Sequence, residues 1–196
     1  MAYEAPALGT AAQVYTAAAH NIIVNDVLDH EARILKQGLV WLNTTTITAE
    51  ASKTISSVFT SVYDNYLVKI HITSVSTQLS LTFQLTASGT PATSGYTANY
   101  WYHDGGASVE YLSDVSTGAI LGPQTIAAFG ICNLDLWGPN RTIGNKLFKS
   151  DNVTTSNTSH KSQGNLSSAT QYDGLKIIAN PGNMTGTVQI YGYTKA

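Results

Sequence analysis

Hydrophobic and polar positions change rhythm once along this chain, at Gly38. Before it, apolar residues recur at three- and four-residue steps. Ile23, Val27 and Ile34 form one line, with His30 filling the step between Val27 and Ile34, and Val24, Leu28 and Leu35 form a second line beside it. Side chains three and four apart share a helix face, so the spacing predicts one helix over residues 17–36. Thr16 is placed to cap its start, Lys36 falls in its last turn and Gly38 stops it. Residues 1–16 follow neither period and read as an extended arm.

From Gly38 onward the period is 2, as in strands with one buried face. Gly38–Leu42 opens this region, and Lys53–Phe59 continues it after a Thr-rich run. In Tyr66–Thr73, Tyr66, Val68, Ile70 and Ile72 oppose Leu67, Lys69, His71 and Thr73. In Leu79–Thr86, Leu79, Leu81, Phe83 and Leu85 alternate with Ser80, Thr82, Gln84 and Thr86. Those two strands mark the expected centre of the core. Tyr96–His103, Val109–Leu112, Phe129–Trp137 (Cys132, Leu134 and Leu136 inward) and Lys146–Phe148 follow, then a polar span from Val153 to Gln163. Two last strands flank Asn180-Pro181-Gly182-Asn183, whose residues suit a tight turn, so a closing hairpin is expected. The predicted fold is mainly β. It is an antiparallel β-sandwich of jelly-roll type over residues 38–196, preceded by the arm and one N-terminal α-helix over residues 1–37.

Composition narrows the function. Charged residues are only 11% of the chain, and 10 Lys and Arg against 12 Asp and Glu leave a net charge of −2. With no basic run, phosphate neutralisation has little to work with, and nucleic acid is not an expected partner. No apolar stretch reaches the roughly 18–20 residues of a membrane helix, and no apolar leader follows Met1, so a soluble, unexported chain is expected. The single cysteine, Cys132, allows no intrachain disulfide or Cys-rich zinc site. A weakly charged surface rich in Ser, Thr and Asn suits tight packing against copies of the same chain.

Catalytic patterns are weak. Gly105-Gly106-Ala107-Ser108 beside His103-Asp104 lacks the Gly-x-Ser-x-Gly spacing of a nucleophile turn. Glu110 and Asp114 form a poor carboxylate pair, and five scattered histidines give no metal spacing. No enzyme activity and no cofactor is expected. The helix positions Ile23, Val24, Val27, Leu28, His30, Ile34 and Leu35 fit an oligomerising seam, or a helix lying over an open end of its own sandwich. Tyr100, Trp101 and Tyr102 cannot all face one way in a strand, so at least one is expected at an interface or against a glycan.

Four segments carry a family resemblance. Gly38-Leu39-Val40-Trp41-Leu42-Asn43-Thr44-Thr45, Phe59-Thr60-Ser61-Val62-Tyr63-Asp64-Asn65-Tyr66, Leu136-Trp137-Gly138-Pro139 and Thr185–Tyr193 occur in this order. Together they resemble small virion proteins of tailed bacteriophages, usually called minor tail, fibre-like or capsid-attached proteins. Where many relatives have a Trp-Asn pair in the adaptor helix, this chain has His20 and Asn21. The resemblance implies a non-enzymatic structural protein of the virion, made in the host cytoplasm. It also implies attachment by the N-terminal helix to other virion proteins, assembly as a homotrimer and outward display of the β-domain. The alternative is a receptor-binding, lectin-like module that grips host surface polysaccharide.

Overall fold

Two units make up the chain, Met1–Gln37 with Ala196, and Gly38–Lys195. The computed structural model describes residues 38–194 except 78, 105–106, 114–116, 127–129, 143 and 155–157, together with Asn21, Val24 and Asn25. The expected arm and helix therefore lie outside the described residues, apart from those three positions.

The described residues of the second unit form thirteen strands. They are β1 (Leu39–Glu50), β2 (Ser52–Ile55), β3 (Asn65–Val75), β4 (Leu79–Ala87), β5 (Thr90–Pro91), β6 (Tyr96–Asp104) and β7 (Ala107–Ser113). After these come β8 (Ala119–Ile126), β9 (Gly130–Trp137), β10 (Lys146–Thr154), β11 (Thr158–Leu166), β12 (Gly174–Asn180) and β13 (Met184–Tyr193). One sheet has the order β1-β13-β3-β9-β10-β11-β6-β7, and the other the order β2-β12-β4-β5 with β8 also on β4. Every pairing is antiparallel. The protein is mainly β.

The sheets meet through the period-2 faces. Val68 and Ile70 of β3, Val188 and Ile190 of β13 and Leu134 of β9 are fully buried, as are Phe83 of β4 and Leu175 and Ile177 of β12. Phe83 joins the two layers, its ring set edge-on to Phe148 of β10 at 5.2 Å and to Tyr96 of β6 at 6.1 Å. The Tyr96 hydroxyl accepts a hydrogen bond from the Leu85 amide at 2.7 Å, so this aromatic satisfies its polar end inside the core.

Three expectations change. The closing hairpin is absent: β12 pairs with β2 and β4, while β13 pairs with β1 and β3. The Asn180–Asn183 turn instead carries the chain from one sheet to the other. It is tied to the end of β3 by Ser76 N donating to the Asn183 carbonyl and Asn183 N donating to Ser76 Oγ. The polar span is the β10–β11 pair, which extends Lys146–Phe148 by six residues. Its inward positions Ser150, Asn152, Thr154, His160 and Ser162 are polar, which hid the period. Strand β8, with Gly122 and Pro123 inside it, gave no strand signal in the sequence.

Candidate functional site

The four segments that carry the family resemblance adjoin one another in this unit, Gly38–Thr45 through its pairing with the final strand and the other three at one end. Thr60 N donates to the Tyr66 hydroxyl at 2.7 Å, and that hydroxyl donates to the Thr60 carbonyl at 2.8 Å. The Tyr66 ring packs on Phe59 at 4.6 Å. Burial raises the Tyr66 phenol above its ordinary value. Tyr63 covers Gly192 so closely that a Cβ there would lie 2.5 Å from the ring. Gly138 N donates to the Asp64 carbonyl at 2.8 Å, and Asn140 Nδ2 donates to the carbonyls of Phe59 and Tyr172. The segments Phe59–Tyr66, Leu136–Pro139 and Thr185–Tyr193 thus hold one another by packing and backbone bonds.

Beside this end, on the outer face of the larger sheet, lies an open groove of about 840 Å³. Strand register sets its floor. Trp137 of β9 pairs with Asn65 of β3 on one side and Leu147 of β10 on the other, and Leu147 pairs with Asn165 of β11. A parallel row holds Lys149, Gln163 and Asn99 on β10, β11 and β6. Residues in one row point the same way, so both rows face solvent. Trp137 is 38% exposed and Leu147 49% exposed. After β9 the chain adds Arg141, whose Nη2 lies 3.3 Å from Asp64 Oδ2, a largely solvated ion pair. Gly164 keeps the floor tight, because a Cβ there would sit 2.0 Å from the Thr97 carbonyl oxygen.

A second polar cluster is buried. His160 is 1% exposed and its ring stacks on Tyr100 at 5.5 Å. Asn152 lies opposite it in register, and Asn152 Nδ2 donates to the Leu121 carbonyl at 3.4 Å. Desolvation pushes the His160 pKa down to about 4, against the smaller, opposing effect of the Leu121 carbonyl. Among the described residues, neither ring nitrogen reaches a hydrogen-bond partner of ordinary geometry. Cys132 is buried nearby, and desolvation first, with the Asp151 charge second, pushes its thiol up to about 12. A thiol in that state is inert.

The residues singled out from sequence do not gather into one site. Tyr100 is half-buried against His160, while Trp101 is exposed on the outer face, opposite Lys161. Tyr102 is paired through its backbone with His160. Ile23, Val27, Leu28, His30, Ile34 and Leu35 lie outside the described residues, and Val24 is exposed. Gly105, Gly106 and Asp114 also fall outside them. Among the described residues, no three His, Cys, Asp or Glu side chains cluster so as to hold a metal, and no helix is long and apolar enough to cross a membrane. Sequence reasoning missed Trp137 as a site residue. Its outward position was legible from the Phe129–Trp137 alternation, but its neighbours come from four other strands.

No family model matches the chain, and no curated protein does. Among solved structures, a protein of unknown function from Shewanella oneidensis MR-1 is similar at 15% identity over 82% of this chain and 81% of that one, with a TM-score of 0.38. The VP2 subviral particle of infectious bursal disease virus is similar at 9% identity over 79% of this chain and 40% of that one, with a TM-score of 0.11. At these scores neither likeness carries an argument about fold or function.

Proposed function

We propose that the chain is a non-enzymatic structural protein of a virion that assembles with copies of itself and displays its β-domain outward. The observation that carries the assembly reading is the outer face of the larger sheet. Leu39 and Trp41 on β1, Tyr193 on β13, Ile131 on β9 and Val153 on β10 are all exposed there. Ile131 and Val153 pair directly, as do Leu39 and Tyr193. Exposed apolar positions repeated across one sheet face suit burial against another protein surface. A homotrimer with cyclic symmetry is the assembly that the resemblance to phage virion proteins implies.

The proposed architecture is a jelly roll with inserted strands. Setting aside β5–β7 and β10–β11, eight strands remain, and they pair as β1 with β13, β2 with β12, β3 with β9 and β4 with β8. That nesting, first with last and so inward, is what a long antiparallel ribbon produces when it rolls up. The pairings of β13 with β3 and β12 with β4 then complete the two sheets. Jelly rolls serve viral capsids and lectins alike, so the architecture supports display without choosing the ligand.

Sedimentation of the full chain, and mass spectrometry of purified phage particles from its host, test the two parts of this reading. The expected results are an oligomer that Trp41→Asp with Ile131→Asp converts to folded monomer, and the chain among the particle proteins. A monomer at tens of micromolar, or particles that lack the chain, would overturn the corresponding part.

A further inference from the structure

The outer-face groove has a chemistry that assembly does not call for, and we propose that it binds a neutral polysaccharide. A pyranose ring presents an apolar C–H face and a rim of hydroxyls that each donate and accept. The groove offers matching surfaces. Trp137 and Leu147, adjacent in register and partly exposed, supply an apolar platform. Around it stand the amides of Asn65, Asn99, Asn165 and Gln163, each carrying a donor and an acceptor on neighbouring atoms.

Shape favours a polymer. The platform and its amides run across β3, β9, β10, β11 and β6. Four inter-strand steps of about 4.8 Å make that path about 19 Å long. The groove is open, so a chain can enter and leave along it instead of ending in a closed pocket. Because the contact residues sit on paired strands, they are held in place before any ligand arrives, which lowers the cost of binding.

Other ligand classes fit less well. A nucleic acid needs several phosphate partners, whereas the groove's cations are Arg141 and Lys149, and Arg141 already faces Asp64. A peptide adding as a strand needs an open sheet edge, but β9, β10 and β11 are each paired on both sides. This inference goes beyond the assembly reading and does not depend on it. Trp137 and Leu147 share the outer face with Leu39, Trp41, Tyr193, Ile131 and Val153, so the double variant Trp41→Asp with Ile131→Asp, which frees that face of copy contacts, is titrated beside the wild type.

The test uses the full chain against maltohexaose, cellohexaose, dextran and an array of neutral bacterial polysaccharides, with polygalacturonate as the acidic comparison. Binding is read by tryptophan fluorescence and titration calorimetry. The expected result is saturable binding to a neutral member, weakened at least about tenfold by Trp137→Ala and also reduced by Gln163→Ala. Thermal unfolding of each variant confirms that its fold is intact. Trp101→Ala, on the same face but outside the groove, should leave the affinity unchanged. No neutral binder, binding to polygalacturonate alone, or neutral binding that survives Trp137→Ala in folded protein would each overturn the proposal.

Discussion

Acid should destabilise this protein through one buried ring, and replacing His160 should remove that sensitivity. The ring is 1% exposed, stacked on Tyr100, and faces Asn152 in register, with no carboxylate among these neighbours. Burial therefore holds it neutral, with a pKa lowered from 6.5 to about 4. The unfolded chain takes up a proton near pH 6.5, while the folded chain resists until about pH 4. Stability attached to the neutral ring is complete above pH 6.5, shrinks as pH falls, and is fully lost near pH 4. A gap of about 2.5 pH units at about 1.4 kcal/mol each amounts to about 3 kcal/mol. That is a sizeable share of the roughly 5–15 kcal/mol by which domains are usually stable. His160→Phe keeps a ring against Tyr100 but cannot be protonated. Urea unfolding of both proteins at pH 7.5, 6, 5 and 4 gives the difference directly, because the carboxylates common to both cancel. The wild type should lose about 3 kcal/mol more than the variant across that range. Parallel curves would refute the reasoning and mean that His160 is solvated, or paired with an acid, in solution.

Two further outcomes follow from the packing. Phe83→Ala should cost about 3–5 kcal/mol in chemical denaturation, since its buried ring joins the two sheets, whereas Thr82→Ala on the opposite face should cost under about 1 kcal/mol. Similar small losses at both positions would show that the alternation in β4 does not reflect burial. Gly192→Ala should cost about 1–3 kcal/mol because its Cβ would meet the Tyr63 ring at 2.5 Å, and the double variant with Tyr63→Ala should lose less than the two single costs added together.

Local backbone rules make part of this protein legible along the chain. In an antiparallel sheet with one buried face the side-chain period is 2, so Tyr66, Val68, Ile70 and Ile72, or Leu81, Phe83 and Leu85, declare both strand and inward face. Trp101 likewise follows its alternation to the outside. Partner choice is not written in that period. A tight turn at Asn180–Asn183 between two apolar runs predicts a hairpin, yet β12 and β13 find their neighbours in separate sheets, because rolling up pairs strands far apart in sequence. Burial of polar residues also defeats pattern reading, as Ser150, Asn152, His160 and Ser162 look solvent-facing until the second sheet covers them. The groove belongs to the same class. Trp137, Leu147, Asn65, Asn165 and Asn99 are ordinary residues in their own strands and become a surface only when five strands align. Most strands, their faces and the apolar core can thus be read along the chain, since they depend on neighbours one and two residues away. Strand partners, the buried polar residues and the place of a ligand surface exist only in the folded molecule, since they depend on contacts between residues tens of positions apart.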